Sequence, residues 1–269
     1  MNDTEVYRNA PIALATIEIR HPTTDPLTSS ESRELKRLLA ETLPIERPGQ
    51  DSAWAIVPPA TTPTQTGERF ARHLNRDGTA SATIKTQATI IESTAYPGFE
   101  GFAELMLQVA EARNQVSSIV GVERVGLRYV HEIRVPGGVG GSIDWGSWIN
   151  ESALGPQRVA PMGLPLTEWQ GAAVYREAQP GKTLVLRYGP AVGRALDQNY
   201  YLRPPRPATL GPFFLMDIDS FWTPPGGSIP EYDRGALQAT LQDLHRPACT
   251  IFEDMITARL RDELLHSFH

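Results

Sequence analysis

The stretch over residues 96–136 most constrains what this chain can fold into. It reads YPGFEGFAELMLQVAEARNQVSSIVGVERVGLRYVHEIRVP and changes period once. Phe99, Phe102, Leu105, Met106, Val109, Val116 and Ile119 recur at three- and four-residue steps, the spacing of one helix face. Glu100, Glu104, Gln108, Glu111 and Arg113 take the opposite face, with Glu100 in the first turn where the helix dipole favours a negative charge. After Val120-Gly121 the step falls to two. Over 123–135, Leu127, Tyr129, His131, Ile133 and Val135 share one face of a strand, and Arg128, Val130, Glu132 and Arg134 share the other, wetter one.

The chain on either side of this stretch reads as two versions of one unit. Ahead of it come a strand over 10–20, a helix from Ser29 or Ser30 to Leu43, and a short strand over 52–58. Extended segments over 69–74 and 80–92 follow, flanking an Asp77-Gly78 hairpin turn. After it come a glycine-rich linker (Gly137, Gly138, Gly140, Gly141) and a short helical pattern over 144–154. Strands over 168–178, 182–188 and 213–222 then lead to a terminal helix over 230–265, kinked at Pro247. Written out, the order is β-α-β-β-β-α twice, with halves at 1–122 and 123–269. This predicts an α+β fold whose mainly antiparallel strands could join into one continuous sheet, with both long helices on the same face. The TATA-binding protein offers a fold-level analogy for such a duplication.

Composition narrows the function classes. The chain has 269 residues, 41% hydrophobic and 21% charged, enough for a sizeable core. A net charge of −6 disfavours nucleic acid as a partner. One cysteine, Cys249, precludes an internal disulfide. The first residues lack the pattern of a secretion signal, and no apolar run approaches the ~20 residues that span a bilayer. The expectation is a cytoplasmic protein with no membrane association.

Several local patterns, Tyr7-Arg8-Asn9-Ala10-Pro11-Ile12, Tyr96-Pro97-Gly98-Phe99, Val125-Gly126-Leu127-Arg128-Tyr129 and Asp217-Ile218-Asp219, occur in order along the chain, with Phe252-Glu253 in the terminal helix. Together they resemble a bacterial family described as sporadically distributed proteins of unknown function. The resemblance covers nearly the whole chain and implies no activity. It departs at His131, where the family pattern tends to carry Asn.

Candidate chemistry is sparse. Asp217 and Asp219 lie two apart on a strand and could share a divalent ion, but a third ligand is missing, so arginine pairing or a solvent-facing sheet edge is the better reading. His131 and Tyr129 share the apolar strand face, as an acid/base pair in a pocket or as hydrogen-bonded core residues. His245 reads as packing or capping, and Cys249 as a buried inert thiol. Tyr200, Tyr201, Arg203 and Arg206 form a basic-aromatic cluster in a long loop, the composition of a contact surface. No cofactor fingerprint or complete metal set is visible. The leading expectation is a non-enzymatic binding or interaction protein with a protein partner and a possible homo-oligomer. The alternatives are an enzyme near Asp217, Asp219, His131 and Tyr129, or a nucleic-acid binder using an open sheet face.

Overall fold

Alternation decides the centre of the sheet. In strand β1 (Ile12–Arg20), Ala15, Ile17 and Ile19 are buried in the main core, and Leu14 is buried in a second cluster on the other side. Strand β6 (Arg124–Ile133) repeats the pattern, with Leu127, Tyr129 and Ile133 in the main core and Val130 in the second cluster. These strands lie antiparallel, from Ile12 against His131 to Arg20 against Arg124, at the middle of a nine-stranded sheet. The computed structural model describes residues 7, 9–50, 69–137, 143–155, 169–177, 181–205 and 210–266.

With strands numbered in chain order, β5 (Ala88–Ser93), β4 (Ala80–Ile84), β3 (Arg69–Leu74) and β2 (Ile45–Gln50) follow outward from β1. Outward from β6 lie β9 (Pro212–Trp222), β8 (Lys182–Val192) and β7 (Gly171–Arg176). Every ladder among the described residues is antiparallel, and the sheet stays open. The fold is therefore α+β.

Helix α1 (Ser29–Leu38) starts with a reciprocal cap: Thr28 Oγ1 accepts from the Glu31 N–H, and the Glu31 carboxylate accepts from the Thr28 N–H. Helix α2 (Phe99–Val116) buries Phe102, Met106, Leu107 and Val109. Helix α3 (Arg234–Met255) buries Leu237, Leu241, Leu244, Ala248, Phe252 and Met255. Each large apolar side chain so buried contributes about 1.5–3 kcal/mol. Helix α2 packs on β5, α3 packs on β6, β8 and β9, and the two helices touch, so they share one face of the sheet. The opposite face is crossed by segment 193–205, whose Leu202 packs with Leu14, Leu74 and Val130. No helix among the described residues is long and apolar enough to cross a membrane.

Several boundaries differ from the sequence reading. The single extended segment over 80–92 is two strands, because the chain turns at 85–87 and β5 folds back antiparallel on β4, leaving its other edge to pair with β1. Strand β2 was not foreseen: Arg47-Pro48-Gly49 hides it, yet an edge strand can hold a proline on its unpaired side. The strand expected over 52–58 lies outside the described residues, as does most of the glycine-rich linker. The helical pattern over 144–154 is two separate 3₁₀ turns, capped by the side chains of Asp144 and Asn150. Helix α3 stops at Met255, where Ile256 turns extended and bridges to Ile149; Thr257 then caps the short helix α4 (Ala258–Leu260). Pro247 does not end α3: it is exposed, where water can serve the carbonyl it leaves unbonded.

Candidate functional site

At one end of the sheet, α2, β6, α3 and residues 7 and 9–13 bound an open cleft of about 1500 Å³. The period of each element sets the lining. Tyr129 and His131 are two apart on β6 and so share its helix-covered face. His245, Cys249 and Phe252 lie four and three apart on α3 and project from one side of it. Tyr96 and Phe99 flank Pro97-Gly98, and Gly98, at φ 91°, lets the chain turn sharply into α2.

The floor carries a hydrogen-bonded chain. The Tyr96 and Tyr129 hydroxyls are 3.0 Å apart, and the Tyr129 hydroxyl is 3.1 Å from His245 Nδ1. Phe99 stacks on the His245 ring, with centroids 4.0 Å apart and planes 2° from parallel. His131 stacks on Phe252 at 4.5 Å, and its Nδ1 lies 3.1 Å from the Met216 carbonyl. A carbonyl only accepts, so Nδ1 carries the proton and Nε2 of neutral His131 holds a lone pair.

Burial makes this chain electrically neutral. It pushes His131 down to about 4, only partly opposed by the bond to Met216 and the field of Asp217. It also pushes His245 down to about 4. The Tyr129 and Tyr96 hydroxyls are raised, again chiefly by burial. At neutral pH the floor therefore offers hydrogen-bond donors and acceptors without charge.

Cys249 does not form a proton-transfer pair with His245. Its Sγ is nearly equidistant from both ring nitrogens, 3.4 Å from Nδ1 and 3.3 Å from Nε2. In the ring plane that position would collide with Cε1. The sulfur therefore lies over the ring face, off both in-plane nitrogen lone pairs. A base that activates a thiol needs a nitrogen lone pair aimed at it.

Asp217 and Asp219 lie on the other face of the sheet. Asp217 is 1% exposed; its Oδ1 accepts from Arg128 Nε (2.6 Å) and its Oδ2 from Nη2 (2.8 Å), with Arg187 3.5 Å away. Asp219 is 3.7 Å from Arg124, which also binds Glu18. Arginine pairing, not a solvent-facing edge, accounts for Asp217. Since strand neighbours alternate, Asp217 and Asp219 cannot meet a substrate lying against His131 and Tyr129. The four residues do not form one site. Among the described residues, no group of three or more His, Cys, Asp or Glu is placed to share a metal.

The two tyrosines of the basic-aromatic cluster point inward, while the Arg203 side chain is exposed. The Tyr200 hydroxyl donates to Glu92 (2.5 Å), the Tyr201 hydroxyl also bonds Glu92, and the Arg72 guanidinium lies 3.4 Å from the centroid of the Tyr201 ring. The Arg203 N–H donates to Gly78 O at 2.8 Å, and the Arg203 carbonyl accepts from Thr94 Oγ1 at 2.5 Å. Burial raises the Glu92 carboxyl, against the hydrogen bond from Tyr200 and the fields of Arg72, Lys85 and Arg128. Segment 193–205 is thus strapped to the helix-free face. Its side chains, including Tyr200 and Arg203, reach the rim of the cleft, and Arg206 lies outside the described residues.

Sequence reasoning missed Tyr96, Phe99 and Glu92 as members of a site and read His245 as a packing or capping residue. The one local signal was His245 and Cys249 at helical i, i+4 spacing, on either side of Pro247. No family model matches the chain, and no curated protein matches its sequence.

Proposed function

We propose that this protein is a non-enzymatic binding module whose site is the cleft between α2, β6 and α3. The carrying observation is the uncharged chain Tyr96–Tyr129–His245 beside the His131 lone pair, set among Phe99 and Phe252. Such a floor favours an elongated neutral organic ligand bearing an amide- or hydroxyl-type group, because a buried charge there would lack a counter-charge. The face-on position of Cys249 argues against a thiol-based enzyme. The ion-paired, strapped opposite face argues against an open basic surface for nucleic acid.

The test is protein-observed NMR with a library of neutral amide fragments. Binders should shift resonances of Tyr129, His131 and Phe252, and Tyr129→Phe should weaken them about tenfold for one lost polar contact. Fragments that bind only elsewhere, or that ignore Tyr129→Phe, would refute the reading.

The same reading includes an internal duplication across the β1–β6 centre, with halves 1–122 and 123–269. Its support is the mirrored order outward, β5-β4-β3 from β1 and β9-β8-β7 from β6, each side carrying a long helix. The matching residues of the sporadically distributed bacterial family, and a cytoplasmic setting with a protein partner or second copy, belong to the same proposal. If the halves are true units, the two expressed as separate chains should reassociate into one sheet.

A further inference from the structure

Arg113, in the last turn of α2, is 1% exposed. Its Nη1 donates to the Ser117 carbonyl (2.5 Å) and its Nη2 to Thr24 Oγ1 (2.8 Å), both neutral acceptors. Its Nε is also buried and has no partner among the described residues. The carboxylate whose field reaches it, Glu31, is engaged in capping α1. Helix-end carbonyls supply about half a negative charge at most. A buried guanidinium so placed lacks most of its counter-charge.

Arg113 lines a second pocket, of about 390 Å³, between α1, the β2–β3 edge and the β4–β5 turn. Lys36, Arg47 and Lys85 line it too, against Asp25 and Glu46, and Glu46 is paired with Lys36 at 3.2 Å. On a chain of net charge −6, this concentrates positive charge around a buried cation. We propose that the pocket is an anion site, holding a small phosphate- or carboxylate-type anion that completes the coordination of Arg113. A guanidinium suits such oxyanions because its planar fork matches their oxygens. The site is separate from the cleft, so its failure and the failure of the cleft reading are distinguishable.

The experiment titrates the full chain with inorganic phosphate, ionic strength held constant with sodium chloride. It follows the Arg113 Nε–H resonance, identified by its loss in Arg113→Lys, together with the thermal midpoint. The resonance should move saturably and the midpoint rise with phosphate alone. Arg47→Ala and Lys85→Ala, at the pocket rim, should each weaken the apparent affinity about fivefold while folding normally. An Nε–H resonance that ignores phosphate would overturn the proposal. It would mean that a trapped water joins Arg113 to the equally unpartnered Nε2 of buried His21. Rim variants that bind phosphate as tightly as the parent would overturn it as well.

Discussion

Asp217→Asn should be among the costliest single-atom changes outside the apolar core. Both Asp217 oxygens are committed to Arg128, at 2.6 and 2.8 Å, and the side chain is 1% exposed. An amide keeps the shape but turns one acceptor into a donor facing another donor, in a place water does not reach. Removing one partner of a fully buried pair costs about 3–5 kcal/mol. The Arg128 side chain is 32% exposed, so partial rehydration of its charge lowers this to about 2–4 kcal/mol. Asp219→Asn is the internal comparison. It sits on the same strand face, but its arginine is 3.7 Å away and its side chain is 26% exposed, so under about 1 kcal/mol should be lost. Urea denaturation followed by far-ultraviolet circular dichroism would give both values. The corresponding drop in thermal midpoint for Asp217→Asn is roughly 5–15 °C. If the two variants agree within about 0.5 kcal/mol, Arg128 does not depend on Asp217 and the buried-pair argument fails.

Stability should rise with pH between about 4 and 6.5, because His131 and His245 are held neutral in the fold while the unfolded chain takes up their protons first. It should be fully present above pH 6.5 and lost as pH falls toward 4; His131→Asn, which can still donate to the Met216 carbonyl, should flatten part of that slope in denaturant melts. Tyr129→Phe should cost about 1–3 kcal/mol in the same assay, since Tyr96 and His245 each lose a partner. Phe252→Ala should cost about 3–5 kcal/mol, whereas Asp254→Ala, exposed two residues later, should cost under about 0.5 kcal/mol. Glu253→Ala would be a poor surface comparison, because Glu253 accepts from the Tyr7 hydroxyl and from Arg261.

Where a single period runs long enough, the sequence located its element closely. Helix α2 starts at Phe99, as its apolar stripe and the preceding Pro97-Gly98 require, and β6 and β9 follow their alternation. Short or composite elements escaped it. Residues 45–50 have poor strand propensity and become a strand only through the neighbouring β3. Trp145 and Trp148 imitate helical spacing because a 3₁₀ turn also brings positions three apart together. In the cleft, Tyr129 and His131 could be found because they share a strand face, but the bond from Tyr129 to His245 joins residues 116 apart in the chain. The direction of Tyr200 and Tyr201 depended on Glu92, itself on another strand, so their composition pointed to a contact surface without saying which surface they contact.

The position of β1 has a bearing on how the chain is made. β1 is the first strand in sequence yet occupies the middle of the sheet, between β5 and β6. During synthesis one edge of β1 can be satisfied by β5 once residue 93 has emerged, with α2 closing over that half soon afterwards. The other edge waits for β6, whose Leu127 faces Ile17. Until then a buried-type strand presents unpaired amides and carbonyls, a template for pairing with another nascent chain. Slowing translation once residue 116 has cleared the ribosome, before β6 follows, should therefore raise aggregation through the open edge of β1.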